Sequence, residues 1–277
     1  MRPVLYVKDV YFSYATRLVL RGVSIAAYPG SLTAVLGSMG SGKTTLLLIA
    51  AGLLKPERGV VLLDDKPLEE LMPDAKRRIG VVFQNPDDQL FTTRVYDEIA
   101  YALRTLGLDE EEVRRRVYLI AEKIGVTELL HSSPYSLSMG QKRLVSLASV
   151  LVYEPQILLL DEPFVFLDSE STKKLYCVIL EHLAKGGTVI MATHDVEKAM
   201  LLADHVCLLN EGRASCMARE RMIDMIVGDE KLMWRTPLLA ELIERVSKGN
   251  VELFESVLRE TRRRVIEACS QGLERRD

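Results

Sequence analysis

A glycine-rich segment near the N-terminus constrains the fold more than any other part of the sequence. It fits the pattern G-x-x-x-x-G-K-[ST], follows the β-like run Leu32–Leu36 and precedes the helical run 44–54. Glycines let backbone N–H groups turn inward around phosphate oxygens, and the N-terminus of the following helix adds to that attraction. We therefore predict a phosphate-binding loop, whose candidate nucleotide-binding residues are Gly37, Ser38, Met39, Gly40, Ser41, Gly42, Lys43, Thr44 and Thr45.

Two side chains of this loop have the chemistry that a nucleoside triphosphate requires. The ammonium group of Lys43 is placed to reach the β- and γ-phosphates, and the hydroxyl of Thr44 is placed to ligate Mg²⁺. ATP and Mg²⁺ are therefore the expected cofactors.

Two acids at the end of an apolar run form the second candidate centre. The run Ile157–Asp161 is followed directly by Glu162. A buried strand of this kind delivers its last side chains to the carboxyl edge of a parallel sheet, where ligands bind in open α/β folds. We predict that Asp161 holds Mg²⁺, directly or through water, and that Glu162 polarises the attacking water.

The order of apolar runs predicts an α/β fold with a mainly parallel core sheet. We expect strands at 4–7, 23–28, Leu32–Leu36, 60–63, 80–84, Ile157–Asp161, 188–192 and 206–209. Between 95 and 153 the pattern is almost wholly helical, with an apolar stripe at three- and four-residue spacings formed by Val113, Val117, Ile120, Ala121 and Ile124. An ATPase domain at 1–225 would then carry an antiparallel β subdomain and a helical insertion at about 95–153.

The last fifty residues differ from the rest and predict a helical appendage at 226–277. One amphipathic helix is indicated by Leu238, Leu239, Leu242, Ile243 and Val246, and a second begins with Val251, Phe254, Val257 and Leu258. The apolar face of this appendage has to be buried against the core or against a partner, and we expect it to be a dimerisation region.

Charge and cysteine content exclude several classes of protein. The chain has 36 Lys plus Arg against 39 Asp plus Glu, so nothing favours nucleic acid as a partner. Its four cysteines form no CxxC cluster, and we expect free thiols in a reducing compartment. The opening MRPVLYVKDV is unlike a signal peptide, and no apolar stretch approaches the roughly 20 residues that cross a bilayer. We expect a soluble chain that reaches a membrane only through a partner.

A third motif adds a family resemblance to these two centres. The segment 137–141, LSMGQ, is similar to the LSGGQ signature of ABC ATPases and stands about twenty residues before Asp161. The resemblance implies a head-to-tail dimer in which Ser138, Gly140 and Gln141 contact the γ-phosphate of an ATP on the opposite subunit. Met139 replaces the first glycine of the signature, which leaves open a weakened site or one half of an asymmetric heterodimer.

The same resemblance implies roles for four further residues. Tyr14 stacks on adenine, whereas the neighbouring Phe12 fits core packing. Gln84 touches Mg²⁺ or water and relays the nucleotide state to a membrane partner. Asp168 contacts the other subunit, caps a helix, or does both. His194 hydrogen-bonds the γ-phosphate. The predicted catalytic residues are thus Glu162, His194, Gln84 and Lys43, and the predicted metal ligands are Thr44, Gln84 and Asp161.

The segment 84–91, QNPDDQLF, narrows the resemblance to energy-coupling-factor and cobalt or nickel uptake ATPases. Those import vitamins or metal ions through a membrane scaffold subunit and a membrane substrate-binding subunit, and they lie at the cytoplasmic face of the membrane. Asp87 and Asp88 then offer charge to arginines of the scaffold, or form only a solvated acidic turn. A soluble cluster-assembly ATPase and a non-hydrolytic regulatory half of a heterodimer remain as alternatives.

Overall fold

The computed structural model describes residues 2–228, together with 252–253, 256–260, 263–264 and 269. The amphipathic helix predicted around 238–246 lies outside the described residues. Of the second predicted helix, 252–253 and 256–260 are described and are helical, and Leu258 is buried in the main core. The division of the chain at residue 225 remains a prediction.

Ten strands are described. In chain order they are β1 (Leu5–Tyr14), β2 (Arg17–Ala27), β3 (Leu32–Leu36), β4 (Arg58–Leu63), β5 (Lys66–Pro67), β6 (Ile79–Val82), β7 (Ile157–Asp161), β8 (Thr188–Thr193), β9 (His205–Asn210) and β10 (Arg213–Ala218). The longer helices are α1 (Lys43–Ala50), α2 (Val95–Thr105), α3 (Glu110–Ile124), α4 (Met139–Leu151), α5 (Ser169–Ala184), α6 (Val196–Leu202) and α7 (Arg219–Gly228). None of the helices in the described ranges is long and apolar enough to cross a membrane.

The strands form two sheets. The larger has the order β10-β9-β3-β8-β7-β6, in which the neighbours from β9 to β6 are parallel and β10 is antiparallel to β9. The smaller has the order β2-β1-β4-β5 and is antiparallel. The predicted parallel core and antiparallel β subdomain are both present, and the helices α2, α3 and α4 fall within the predicted helical insertion.

Side chains of the parallel strands alternate between two hydrophobic cores. Leu158 and Leu160 of β7 pack in the core that also holds the buried faces of α2 to α6. Ile157 and Leu159 face the opposite core, which α1 and the antiparallel sheet complete. A strand buried on both faces needs a continuous apolar run, which explains the Ile-Leu-Leu-Leu sequence ahead of Asp161.

The helix α3 shows how local sequence sets an element. Asp109 caps its start by accepting a hydrogen bond from the amide of Glu112 at 2.9 Å, and Gly125 ends it in the left-handed conformation. Its buried residues are Val113, Val117, Ala121 and Ile124, with Ile120 partly buried beside them. The predicted apolar stripe is therefore confirmed, and each fully buried Val or Ile side chain of the stripe contributes about 1.5–3 kcal/mol.

Several boundaries differ from the predictions. The strand β6 ends at Val82 rather than at Gln84, so Gln84 lies in the loop that follows. The helix α1 ends at Ala50, because Gly52 has a positive φ of 70° and begins a turn. The predicted strands did not include β10, which follows β9 directly along the chain and pairs with it in an antiparallel hairpin.

The expectation of free thiols is wrong. Cys207 and Cys216 oppose each other in the antiparallel pair β9–β10, with Cα atoms 4.0 Å apart, and form a disulfide. Cys177 of α5 forms a second disulfide with Cys269, across 92 residues of sequence. Neither pairing is visible in the spacing of the cysteines, because both depend on strand register and tertiary packing.

Candidate functional site

The predicted site residues come from loops at one edge of the parallel sheet. The phosphate-binding loop follows β3, His194 follows β8, Glu162 follows β7 and Gln84 follows β6. These four strands are neighbours in the order β3-β8-β7-β6, so their carboxyl ends meet at the same edge. This is where ligands bind in open α/β sheets.

Glycine is required in the phosphate-binding loop for steric reasons. A Cβ atom at Gly37 would lie 2.5 Å from the carbonyl oxygen of Leu209 and 2.5 Å from the hydroxyl of Ser41. Gly40 and Gly42 have positive φ values of 78° and 104°, which L-residues with side chains rarely adopt. The loop leads directly into α1, whose N-terminus attracts anions.

Lys43 is held inside this loop. Its ammonium group donates hydrogen bonds to the carbonyl oxygens of Gly37 at 2.9 Å and Ser38 at 3.1 Å, and lies 3.8 Å from a carboxylate oxygen of Glu162. The side chain is only 8% exposed. A buried cation ringed by carbonyl and carboxylate oxygens is well placed to exchange them for phosphate oxygens.

Thr44 and Asp161 offer oxygen ligands for a divalent cation. The Thr44 hydroxyl donates to Oδ2 of Asp161 at 2.5 Å, and Oδ1 is buried without a hydrogen-bond partner among the described residues. Burial raises the pKa of Asp161, against the hydrogen bond from Thr44 and the charges of Lys43 and Arg143. The described residues contain no cluster of three or more acidic, His or Cys ligands. The donor set therefore fits Mg²⁺, which takes one or two protein oxygens and completes its shell with phosphate and water.

Glu162 is restrained both by its backbone conformation and by its side-chain contacts. Its backbone has a positive φ of 45°, and its side chain is buried. One carboxylate oxygen lies 2.8 Å from Nδ1 of His194, and the other accepts a hydrogen bond from the Thr193 hydroxyl at 3.0 Å. A non-glycine residue in this conformation costs about 1–3 kcal/mol, a strain that concentrates at functional sites.

Thr193 is a site residue that the sequence analysis missed. Its hydroxyl donates to Glu162 and also accepts a hydrogen bond from the amide of Asp195 at 3.1 Å. The residue ends a buried strand immediately before His194. A polar residue at the end of a buried strand was a usable signal for Thr193, but its partner Glu162 lies 31 positions away along the chain and could not be identified from the local sequence.

The signature residues form the start of α4. Ser138 caps the helix by accepting a hydrogen bond from the Gln141 amide at 3.3 Å, while the Gln141 side chain accepts from the Ser138 amide at 3.0 Å. Met139 occupies the first position of the helix. A Cβ atom at Gly140 would lie 3.0 Å from the carbonyl oxygen of Phe166, so a larger residue crowds that neighbour.

The remaining predicted residues lie on separate elements. Tyr14 ends β1 and is 49% exposed, with its ring edge-on to the buried Phe12 at 4.9 Å. Gln84 is exposed in the loop after β6. Asp168 caps α5 by accepting a hydrogen bond from the Ser171 amide at 2.7 Å, and this bond lowers the pKa of its carboxyl. The helix-capping role of Asp168 is thus confirmed.

Direct contacts join only part of the predicted set. Hydrogen bonds and an ion pair join Lys43, Glu162 and His194, and a separate hydrogen bond joins Thr44 to Asp161. Asp161 also interacts electrostatically with Lys43 and Glu162, so these five residues form one group, the Lys43–Glu162 cluster. In the part of the chain that is described, no hydrogen bond or ion pair connects this cluster to the predicted residues outside the phosphate-binding loop, namely Tyr14, Gln84, Ser138, Gly140, Gln141 and Asp168.

Arg143 of α4 is a second residue that the sequence analysis missed. Its side chain is fully buried, and its guanidinium donates to the backbone carbonyl oxygens of Phe83 and Gln84. Burial lowers the pKa of Arg143, and the negative charges of Asp161 and Glu162 act in the opposite direction. A charged residue on the buried face of a helix whose other buried residues are apolar, except for Ser146, was the available signal.

A mixed α/β sheet with a phosphate-binding loop and a carboxylate centre at its carboxyl edge defines the class of P-loop NTPases. A family model described as ABC transporter matches residues 20–165. The chain therefore belongs to the ABC transporter family, and it is an ATP-binding and ATP-hydrolysing subunit of that type.

Curated relatives and solved structures agree with this assignment. A putative ABC transporter ATP-binding protein of Archaeoglobus fulgidus is 45% identical over 69% of this chain and 79% of its own length. The energy-coupling factor transporter ATP-binding protein EcfA of Methanocaldococcus jannaschii is 34% identical over 87% of this chain and 88% of its own length. The structure of CbiO1 from Clostridium perfringens, described as part of the ABC transporter complex CbiONQ, superposes with a TM-score of 0.71 at 32% identity, covering 88% of this chain and all of that one.

Proposed function

We propose that this chain is the ATPase subunit of an energy-coupling-factor-type importer of vitamins or transition-metal ions. In this proposal it works as a head-to-tail dimer at the cytoplasmic face of the membrane, below a scaffold subunit and a substrate-binding subunit. The observation that carries the proposal is the similarity to energy-coupling-factor ATP-binding proteins over nearly nine-tenths of the chain.

The residues of the site support a direct route for hydrolysis. Glu162 accepts a proton from the attacking water, and Thr193 and His194 hold its carboxylate in place. Lys43 binds the β- and γ-phosphates from inside the loop. Thr44 and Asp161 would hold Mg²⁺, which when bound would neutralise charge on the phosphates.

We infer two subunits from the resemblance to ABC ATPases, and the described residues agree in that no hydrogen bond or ion pair joins the start of α4 to the Lys43–Glu162 cluster of the same subunit. Ser138, Gly140 and the N-terminus of α4 would contact ATP bound to the opposite subunit. ATP then favours the closed dimer, and its hydrolysis allows the subunits to separate. The difference in ATP affinity between the two states is the free energy available to move a membrane partner.

An exposed surface after β6 supports docking to a membrane subunit. Phe91 and Tyr101 are 58% and 52% exposed, and their rings meet edge to face at 4.9 Å. Both neighbouring acids are exposed: Asp87 forms an ion pair with Lys142 at 2.6 Å, and Asp88 accepts a hydrogen bond from the side-chain amide of Asn85 at 3.4 Å. Exposed aromatic side chains of this kind are typical of protein interfaces.

The decisive experiment is a mild-detergent pull-down of the tagged chain from its native membranes. We expect integral membrane proteins to co-purify, and a Phe91→Asp variant to lose them while keeping its ATPase rate. The matched control is Tyr118→Asp, since Tyr118 is also exposed and lies on α3. Recovery with soluble partners alone would favour a cluster-assembly ATPase and would overturn transport.

A further inference from the structure

We propose that Arg143 is a positioning residue for ATP hydrolysis. Its buried guanidinium fastens the backbone of Gln84 to the helix that starts with the signature, so that these two nucleotide-contacting parts move as one unit. The inference deepens the proposed function, because it rests on the role given there to the start of α4 and on the contact with Mg²⁺ or water that the family resemblance implies for Gln84.

The guanidinium of Arg143 bonds to the backbone of two consecutive residues. Nη1 donates to the carbonyl oxygen of Phe83 and Nη2 to that of Gln84, two consecutive residues directly after β6. Arginine presents its donors in a rigid planar fork, so two bonds fix both the position and the orientation of this segment. A single rotatable ammonium group does not impose the same geometry.

Simple stabilisation does not account for this arginine. Its side chain is fully buried, and its Nε has no hydrogen-bond partner within the described residues. A buried donor without a partner is unfavourable, and an apolar side chain of similar volume often stabilises a core better than a buried charge does. Arg143 therefore fixes the position of the Phe83–Gln84 backbone, at a cost in the stability of the fold.

Other side chains already hold the same segment to α4. The Gln89 amide donates to the carbonyl oxygen of Ser146 at 2.8 Å and accepts from the Phe83 amide at 3.2 Å. Lys142 forms its ion pair with Asp87. Of these linkages, that of Arg143 is the one bonded to Gln84 itself. Several side chains therefore attach the segment after β6 to α4, but only Arg143 among them is bonded to Gln84 and fixes its position.

The test compares Arg143→Met with Lys142→Met in the full chain. Both variants remove one positive charge from α4, and both lose a contact to the segment after β6, but only the first reaches Gln84. We expect Arg143→Met to lower kcat by about 10²-fold, the size of effect that a displaced reacting group causes, with ATP affinity changed less than about threefold. Lys142→Met should keep kcat within about twofold of the unmodified chain.

A conservative variant separates positioning from structure. Arg143→Lys keeps the positive charge but not the planar guanidinium, so we expect its kcat to lie between those of Arg143→Met and the unmodified chain. Its ATP affinity should equal that of the unmodified chain. Its Tm should be no lower than that of Lys142→Met. If Arg143→Met does not fold, Arg143→Lys carries the test alone. Turnover of either folded Arg143 variant equal to that of Lys142→Met would overturn the inference, as would a loss of ATP affinity as large as the loss of kcat.

Glu162→Gln is assayed in parallel, so that failure of the proposed hydrolysis site can be distinguished from failure of the proposed role of Arg143. An inactive Glu162→Gln protein beside a fully active Arg143→Met protein would refute only the role of Arg143. Normal turnover in Glu162→Gln would refute the hydrolysis site itself, and the inference with it.

Discussion

At the scale of single residues, the site is built from side chains whose neighbours restrain them strongly. Glu162 is buried, has a positive φ, and is held by Thr193, His194 and Lys43. Asp161 is buried beside it and has one oxygen without a partner in the described chain. These two carboxylates differ in their surroundings, which is the basis for giving them different roles as base and metal ligand.

Replacing Glu162 by Gln should abolish most turnover without preventing ATP binding. The amide keeps the volume of the side chain but accepts no proton, so kcat should fall by about 10²–10⁴-fold. Phosphate release and nucleotide titration measure the two quantities separately. Glu122→Gln on the exposed face of α3 is the matched control and should behave as the unmodified chain. Turnover near normal in Glu162→Gln would contradict the assignment.

Replacing Asp161 by Asn should stabilise the nucleotide-free protein at neutral pH and abolish hydrolysis. Because burial raises the pKa of this carboxyl, its ionised form costs stability at pH 7. We expect a Tm about 2–4 °C higher, which corresponds to about 1 kcal/mol. The gain should shrink as the pH falls below the raised pKa and vanish below 3.8, the ordinary pKa of Asp, where Asp161 is neutral in both the folded and the unfolded state. Calorimetry at pH 7 and at about pH 3 measures this, and a lower Tm at pH 7 would count against it.

At the scale of elements, helix termini and one buried acid shape the loops that carry function. Ser138 and Gln141 form the cap of α4 with their own side chains, so the signature sequence also starts the helix. Asp168 does the same for α5. At Ser138, capping and the proposed phosphate contact coincide because the free N–H groups of a helix start attract both a capping oxygen and a phosphate. Such positions are visible in the sequence, since the cap and its partner lie within three residues.

The loop that carries Phe91 depends on the buried acid Glu98 of α2. One carboxylate oxygen of Glu98 accepts from the amides of Phe91 at 3.0 Å and Thr92 at 2.8 Å. Glu98→Ala leaves both amides without this acceptor, so the free energy of unfolding should fall by about 1–3 kcal/mol. Glu98→Gln keeps an acceptor oxygen and should cost less. Urea denaturation compares the two, and an equal loss in both variants would show that charge rather than the acceptor matters.

At the scale of the whole molecule, the proposed nucleotide contacts come from two different parts of one subunit. The Lys43–Glu162 cluster lies at the sheet edge, whereas the signature begins a helix of the helical insertion. Leu258 also packs into the main core, so the described part of the C-terminal region contacts the core of its own subunit. The predicted dimerisation role of that region remains a prediction.

The dimer itself can be trapped if the proposed geometry is correct. We expect Glu162→Gln to elute as a dimer in ATP and Mg²⁺ and as a monomer without them. Adding Gly140→Asp should abolish the dimer, because it places a negative charge where the other subunit's γ-phosphate would lie. Its ATP affinity as a monomer should not change. Light scattering after size exclusion measures the mass, and a dimer that survives Gly140→Asp would contradict the head-to-tail arrangement.

The sequence by itself determined the class of protein, the phosphate-binding loop and the carboxylate centre. These features are local: a glycine that needs a positive φ, a lysine beside it, and an apolar strand that ends in acids are all encoded within a few residues. Tertiary structure alone decided that Thr193 orients Glu162, that Arg143 grips the backbone of Gln84, and that the cysteines pair. Those contacts join residues far apart along the chain, and their partners are chosen by strand order and helix packing, which no local pattern records.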